Sequence, residues 1–137
     1  MREILFRGKD IKGNWYEGLL CHNKKKNEWY ISNKAGIPTA YQVRPETIGQ
    51  YTGLTDKNGV KIFDGDILKI RQLSDTAGTY FFPPIEYPVN VIVKWDLCAW
   101  LWEVIGTEKY YITFPDAWCR YECKVIGNIY DNPELVK

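Results

Sequence analysis

Four cysteines and a single histidine are the residues with which this chain could bind a transition metal. The cysteines are Cys21, Cys98, Cys119 and Cys123, and the histidine is His22. Three residues separate Cys119 from Cys123, which is within the range of spacings found for zinc ligands. No two cysteines are separated by two residues, the usual spacing of a zinc knuckle. We therefore expect small, reduced thiols in the protein interior, with no metal and no cofactor.

Nucleophilic catalysis would require an oriented histidine close to a cysteine or serine. His22 is followed by a run of three lysines in a segment, 22–28, that we predict to be the exposed tip of a hairpin. An exposed tip does not hold an imidazole in the geometry that a catalytic pair needs. We therefore predict that His22 has no catalytic role.

Carboxylates form a second group that could do chemistry. Asp64 and Asp66 flank Gly65, and Asp56 and Glu46 lie nearby in the sequence. Acid–base catalysis or Mg²⁺ binding would require two of them to face one cleft. Aspartates are also common in turns, because their side chains bond to the backbone of the same turn. We favour the turn interpretation and predict no catalytic residues and no enzymatic activity.

Basic residues could bind nucleic acid. The candidates are Lys24, Lys25, Lys26, Lys69 and Arg71, together with Lys57 and Lys61. A small β-barrel can bind a single strand by combining such cations with exposed aromatic side chains. Alternatively, the lysines protect sheet edges and the aromatics form the core. The formal net charge of +1, with 18 basic and 17 acidic residues, does not support a dedicated duplex-binding domain.

One aromatic segment could contact another protein. Residues 73–88 contain three prolines and are predicted to form a long loop. Its five large apolar side chains are Tyr80, Phe81, Phe82, Ile85 and Tyr87. Aromatic residues are enriched at the centres of interfaces, and prolines reduce the entropy lost on binding. The alternative is that the loop folds over the protein and buries itself.

The segment from 45 to 70 contains the strongest structural signals. Asn58-Gly59 is a dipeptide favoured in type I′ hairpin turns, in which both central residues have positive φ. Asp64-Gly65-Asp66 predicts a second tight turn, and the β-forming residues at 67–70 predict the strand that follows. This segment therefore indicates consecutive antiparallel strands.

Short runs of β-branched and aromatic residues predict further strands along the chain. Gly18 is expected to mark a bulge or a close backbone approach. Residues 116–123 are assigned to one helical turn or a loop. The other predicted strands are 4–7, 15–20, 29–31, 39–43, 89–95, 100–105, 110–114 and 124–130.

These elements predict an all-β protein consisting of a single domain over residues 1–137. Residues 1–44 would form a β-meander, which is too short for an independent core. Residues 45–137 would form a small SH3-like barrel, with an open sandwich of two sheets as the alternative.

Several motifs occur in a fixed order along the chain. They are FRG at 6–8 with Trp15 and Gly18, ETIGQYTGL at 46–54, DKNG at 56–59, DGDI at 64–67, VKW at 93–95 and VIGNIYDNPE at 125–134. In these motifs the chain resembles the YopX family of proteins, which phages and prophages encode. The resemblance implies an all-β fold with an SH3-like barrel. It implies no reaction and no catalytic residue.

We predict a non-enzymatic interaction protein of phage origin that self-associates into a homo-oligomer, with the 80–88 loop as the contact surface. A host or phage protein is a further candidate partner. The alternative function is that of a small β-barrel that binds single-stranded nucleic acid. The amino terminus has no long apolar segment of the signal-peptide type, and no stretch has the ~18 apolar residues of a membrane helix. We therefore expect a location in the bacterial cytoplasm, with no membrane partner.

Overall fold

Strands make up nearly all of the regular structure. The computed structural model describes residues 3–33, 40–72, 89–96, 99–106, 110–112 and 121–136. The regular elements within these ranges are eleven strands and two short 3₁₀ helices, and these ranges contain no α-helix. The predicted all-β class is therefore confirmed, whereas the SH3-like barrel stays a prediction.

The strands are β1 Phe6–Lys9, β2 Trp15–Asn23, β3 Glu28–Ser32, β4 Tyr41–Val43, β5 Gly49–Thr55, β6 Lys61–Phe63, β7 Asp66–Gln72, β8 Val89–Asp96, β9 Ala99–Val104, β10 Tyr110–Ile112 and β11 Tyr121–Asn128. The 3₁₀ helices are Pro45–Thr47 and Pro133–Val136. The chain divides into two compact units, Met1–Gly53 and Leu54–Lys137. The division falls inside β5, while the predicted subdivision at residue 45 stays a prediction.

The first unit is built on an antiparallel sheet in which the neighbours are β4-β3-β2-β1-β5. The first four strands follow one another as a meander. Strand β2 pairs with β1 through residues 15–18 and with β3 through residues 19–23, so it changes partner at Gly18. Ile31 of β3 and Val43 of β4 are buried.

A buried threonine fixes the end of the meander. Thr47 is fully buried, and its Oγ1 accepts a hydrogen bond from the backbone N–H of Lys9 at 2.9 Å. The same hydroxyl donates to the carbonyl oxygen of Arg44 at 2.7 Å. The Arg44 N–H in turn donates to the Lys9 carbonyl at 2.8 Å. The 3₁₀ helix at 45–47 is thereby attached to β1.

The second unit is built on a sheet in which the neighbours are β10-β9-β8-β7-β11, all antiparallel. The hydrophobic core of the unit lies against one face of this sheet. The buried side chains of the core are Ile62, Leu68, Ile70, Val91, Val93, Trp102, Val104 and Cys123. Full burial of an aliphatic side chain of this kind stabilises the folded state by about 1.5–3 kcal/mol relative to leaving it exposed. Because side chains alternate along a strand, Leu68 and Ile70 of β7 face the core while Lys69 and Arg71 lie on the opposite face.

The loop between β5 and β6 is held by the carboxylate of Asp56. Its Oδ1 accepts hydrogen bonds from the N–H groups of Asn58 at 2.8 Å and Val60 at 2.9 Å. Gly59 has a φ of 79°, but Asn58 is not among the residues with positive φ. The predicted hairpin turn is present, and its predicted type I′ geometry is wrong. The Asp56 carboxylate instead stabilises a longer loop that requires the left-handed conformation only at Gly59.

The same loop covers the outer edge of β11. Among the strands that the structure describes, β11 is the last of its sheet, and none of them lies beside its outer edge. The Val125 N–H donates to Oδ2 of Asp56 at 3.0 Å, and the Cys123 carbonyl accepts from the Lys57 N–H at 3.0 Å. These two contacts join residues that lie far apart in the sequence and fix the loop against the strand.

The predicted turn at 64–66 is confirmed, and Gly65 has a φ of 90° there. The Gly65 N–H donates to the Val93 carbonyl at 2.8 Å, and its own carbonyl accepts from Ile129 at 3.0 Å. The carboxylate of Asp66, which is 1% exposed, accepts from the Phe63 N–H at 2.8 Å. The turn is therefore part of the folded core of the unit.

Strand β11 begins earlier than the sequence indicates. The assignment of residues 121–123 to a helical turn or loop is wrong, because they pair with β7 from Tyr121 onwards. The predicted strand at 124–130 ends at Asn128 instead. There the side chain of Asn128 accepts hydrogen bonds from Tyr130 and Asp131 and turns the chain.

Candidate anion-binding groove

Four basic side chains and one acidic side chain line a concave surface of the second unit. The groove has a volume of about 340 Å³, and its lining residues are Lys57, Lys69, Arg71, Glu122 and Lys124. Three elements supply them: the loop after β5, strand β7 and strand β11. The groove thus brings together three of the predicted nucleic-acid candidates, Lys57, Lys69 and Arg71.

The register of β7 and β11 determines which charges face each other. Arg71 lies opposite Glu122, and Lys69 lies opposite Lys124. Directly opposite residues on one face of an antiparallel pair have Cβ atoms about 4.5–5.5 Å apart. The first pair is therefore attractive, whereas the second places two positive charges side by side.

Glu122 is held by two cations at once. Its Oε2 accepts a hydrogen bond from Nη2 of Arg71 at 2.6 Å, and its Oε1 accepts one from Nζ of Lys57. The hydrogen bonds from Lys57 and then Arg71 keep the pKa of Glu122 below its usual value. Glu122 is therefore ionised at neutral pH, and it aligns Lys57 and Arg71 along the groove.

The position of Lys57 depends on the neighbouring Asp56. Burial acts to raise the pKa of Asp56, but the backbone N–H groups of Val125, Val60 and Asn58 outweigh it, so the pKa lies below its usual value. The ionised carboxylate fixes the loop from which the Lys57 side chain extends. Asp56 thus positions Lys57, and both of its carboxylate oxygens accept hydrogen bonds from backbone N–H groups.

Three further nucleic-acid candidates belong to the first unit. Lys24, Lys25 and Lys26 are exposed in the turn that joins β2 to β3, as predicted for this hairpin tip. The side chain of Asn23 accepts hydrogen bonds from the N–H groups of Lys25 and Lys26. The tip therefore presents three adjacent positive charges on an ordered turn.

His22 lies at the base of this tip. Its ring stacks on Trp29, with centroids 3.9 Å apart and an angle of 8° between the planes. Its Nε2 lies 3.0 Å from Oδ1 of Asn27, the residue that adopts a φ of 51° in the turn. These contacts give His22 a role in the conformation of the hairpin.

The described thiols differ strongly in environment. Cys123 is 4% exposed, and burial raises its pKa to about 12, with smaller contributions from the carboxylates of Asp56 and Glu122. Such a thiol is a poor nucleophile and a poor metal ligand at neutral pH. Cys21 is exposed, and Cys98 and Cys119 lie outside the described residues. Among the residues that the structure places, no three His, Cys, Asp or Glu side chains are grouped to hold a metal.

The predicted protein-contact residues Tyr80, Phe81, Phe82, Ile85 and Tyr87 also lie outside the described residues. In the ranges that are described, no helix has the length and apolarity to cross a membrane.

Sequence reasoning missed Glu122 and Lys124. A usable signal was the alternation of charged and apolar residues from Glu122 to Val125, which is typical of a half-exposed strand. The assignment of 116–123 to a helical turn or loop concealed this alternation.

Comparison with known proteins identifies relatives of the chain. A family model described as YopX protein matches residues 5–137. No curated protein matches the chain significantly. The crystal structure of protein EF1440 from Enterococcus faecalis is similar, with a TM-score of 0.60 and 23% sequence identity over 100% of both chains. At this identity, the likeness shows a shared fold.

Proposed function

The chain belongs to the YopX protein family, whose model matches residues 5–137, and we propose that it is a non-enzymatic protein that binds single-stranded nucleic acid. The observation that supports this function is the groove, in which four cationic side chains stand against one carboxylate. The formal net charge of the chain is only +1, so the groove concentrates positive charge locally. Cations in a concave surface attract the phosphates of a nucleic-acid backbone.

The non-enzymatic part of the proposal is supported by the use of the reactive side chains. The carboxylates of Asp56 and Asp66 accept backbone hydrogen bonds. The thiol of Cys123 is buried and protonated, and His22 is stacked in a hairpin. Each of these groups has a structural role that accounts for its position.

A fluorescent oligothymidylate provides the test, because its anisotropy reports binding by the purified protein. Replacing Arg71 with Gln is expected to weaken binding and to reduce the slope of log K against log salt by about 0.7. Replacing Glu122 with Gln is expected to tighten binding, because Lys57 and Arg71 lose their intramolecular partner. Lys12→Gln is the matched control, since Lys12 lies in the exposed turn between β1 and β2.

The proposal requires that the Arg71 variant bind the oligonucleotide more weakly than the parent and that the Glu122 variant bind it more tightly. The Lys12 variant must bind with the affinity of the parent. The proposal would be rejected by the absence of binding at low salt, or by equal losses in all three variants. The hairpin tip is tested separately with a variant in which Lys24, Lys25 and Lys26 are all Gln.

Self-association is the second candidate function, and it is supported by the composition of the 80–88 segment. Three prolines and five large apolar side chains occur there within nine residues, a composition suited to an interface. Light scattering at several protein concentrations measures the solution mass. The Phe81→Ser/Phe82→Ser double variant is expected to have a lower mass than the parent, and an unchanged oligomer would eliminate the 80–88 segment as the contact.

A phage or prophage gene and a location in the bacterial cytoplasm complete the proposal. Both are supported by the resemblance of the sequence motifs to the YopX family. The proteins encoded beside the gene would test the origin, and fractionation of cells that carry it would test the location.

A further inference from the structure

We propose that Lys69 and Lys124 form a subsite for one phosphoryl group within the groove. This inference rests on the proposed function and assigns a position on the protein to the ligand's phosphate. The phosphoryl group could belong to a nucleic-acid strand or to a free polyphosphate, and measurements with an oligonucleotide and with pyrophosphate distinguish these sources.

The register of the sheet brings the two lysines together. Lys69 of β7 and Lys124 of β11 are directly opposite each other, both are exposed, and both line the same groove. Like charges directly opposite each other in an antiparallel pair destabilise the sheet. An anion bound between the two ammonium groups converts this repulsion into two attractive, charge-assisted contacts.

The carboxylate nearest to Lys124 on the same strand is already engaged. Glu122 is two residues from Lys124 on β11, but its two oxygens contact Lys57 and Arg71. Within the described part of the chain, no carboxylate forms an ion pair with Lys69 or Lys124. The two lysines therefore retain their charge for an external anion.

A neutral hydrogen-bond donor lies in the same row of the sheet as the two lysines. Asn90 of β8 lies opposite Lys69 on the side away from β11. Lys124, Lys69 and Asn90 thus form a row across three neighbouring strands, and adjacent strands are about 4.8 Å apart. A phosphoryl group has several acceptor oxygens, so it can contact both ammonium groups and leave an oxygen for the amide.

Inorganic pyrophosphate is the probe for this subsite. At matched ionic strength it is expected to raise the melting temperature of the parent protein, because a ligand that binds only the folded state stabilises it. The Lys69→Gln and Lys124→Gln variants should each lose this shift, and Lys12→Gln should keep it. Without pyrophosphate at low salt, Lys124→Gln is expected to melt at a higher temperature than the parent, because the repulsion is removed.

The oligonucleotide measurement is repeated on the Lys69→Gln/Lys124→Gln double variant. Binding should weaken about tenfold at low salt, and the salt slope should fall by about 1.4, which corresponds to two lost contacts with phosphate. The effect of the lysine substitutions on the pyrophosphate-induced rise in melting temperature, and their effect on oligonucleotide affinity, then identify the source of the phosphoryl group.

Three results are distinguishable. If the oligonucleotide depends on Arg71 but neither lysine variant changes any measurement, the subsite is refuted and the proposed function stands. If the lysines are needed for the pyrophosphate shift but no oligonucleotide binds, the subsite stands for a free polyphosphate and the proposed function is refuted. If the binding of both pyrophosphate and the oligonucleotide depends on the two lysines, both the subsite and the proposed function are supported.

Discussion

Replacement of Asp56 with Asn is expected to lower the free energy of unfolding of the second unit by about 2–4 kcal/mol. The carboxylate is 7% exposed and accepts three backbone hydrogen bonds, from Asn58, Val60 and Val125. An amide has one acceptor oxygen, so at least one buried N–H loses its partner. Hydrogen bonds to a charged group contribute about 1.5–3 kcal/mol, and an unsatisfied buried donor costs about 1–3 kcal/mol. Denaturant unfolding of the purified variant measures the loss.

The chain contains a matched control for this substitution. In the loop between β1 and β2, Oδ1 of Asp10 accepts from Lys12 at 2.9 Å and from Asn14 at 2.8 Å. This pattern is the same as that of Asp56 with Asn58 and Val60. These two bonds from Lys12 and Asn14 are exposed. Oδ2 of Asp10 accepts from the side chains of Asn14 and Tyr16, which are close in the sequence, whereas Oδ2 of Asp56 accepts from the backbone of a distant strand. Asp10→Asn should therefore cause a much smaller loss, and equal losses would show that the contact with β11 contributes little.

The stability difference should also depend on pH. The pKa of Asp56 is lower in the folded protein than its usual value, so its ionised form stabilises the fold. This stabilisation is complete above the unfolded-state pKa of about 3.9 and is lost as the pH falls through the lower folded-state value. The difference between parent and Asp56→Asn should be constant above about pH 5 and shrink under more acidic conditions. A difference independent of pH would contradict the assignment.

Replacement of Gly18 with Ala is expected to destabilise the first unit by about 3 kcal/mol or more. A Cβ atom at residue 18 would lie 2.2 Å from the carbonyl oxygen of Ser32 and 2.9 Å from Cα of Asn33. These are backbone atoms, so no side-chain rotation relieves the overlap, and β3 itself must move. Overpacking of this kind typically costs about 1–3 kcal/mol, and occasionally more. Because β2 changes partner at this residue, the strain affects both of its pairings.

The Gly106→Ala variant distinguishes the cost of steric overlap from the cost of placing alanine at a positive φ. Gly106 has a φ of 84°, and apart from its chain neighbours no described residue has an atom within 4 Å of the position that a Cβ would occupy there. Alanine at this residue should therefore cost only about 1–2 kcal/mol of backbone strain. Amide exchange in β2 and β3, measured beside global unfolding, should accelerate in Gly18→Ala and remain unchanged in Gly106→Ala. If amide exchange in β2 and β3 of the Gly18 variant were as slow as in the parent, the close approach of residue 18 to the Ser32 backbone would be disproved.

Local features of this fold are predictable because they depend on neighbouring residues. The close approach expected at Gly18, the hairpin tip and both glycine turns are present. The motif Asp-x-x-Gly occurs at 10–13, 56–59 and 75–78. The third lies outside the described residues, and in the first two the aspartate accepts hydrogen bonds from the same loop positions. Recognition of this repetition would have predicted the structural role of Asp56 within its loop.

The remaining features depend on residues that are distant in the sequence. The bond from Val125 to Asp56 spans 69 residues, and no local pattern specifies it. The groove depends on the register of β7 against β11, and a shift of one residue would turn Glu122 and Lys124 to the opposite face. Because the sequence pattern assigns the first part of β11 to another conformation, the charge pairs could not be derived from it.

The contact between the 56–60 loop and β11 also limits how copies of the protein can join. An uncovered edge strand can template a strand from another molecule and seed fibrous growth. On the outer side of β11, the Val125 N–H and the Cys123 carbonyl already have partners within the chain. A neighbouring copy cannot extend the sheet there by pairing with these groups while the loop stays in place. Assembly at this edge would therefore have to proceed through side chains, which can be varied without creating a polymerising surface.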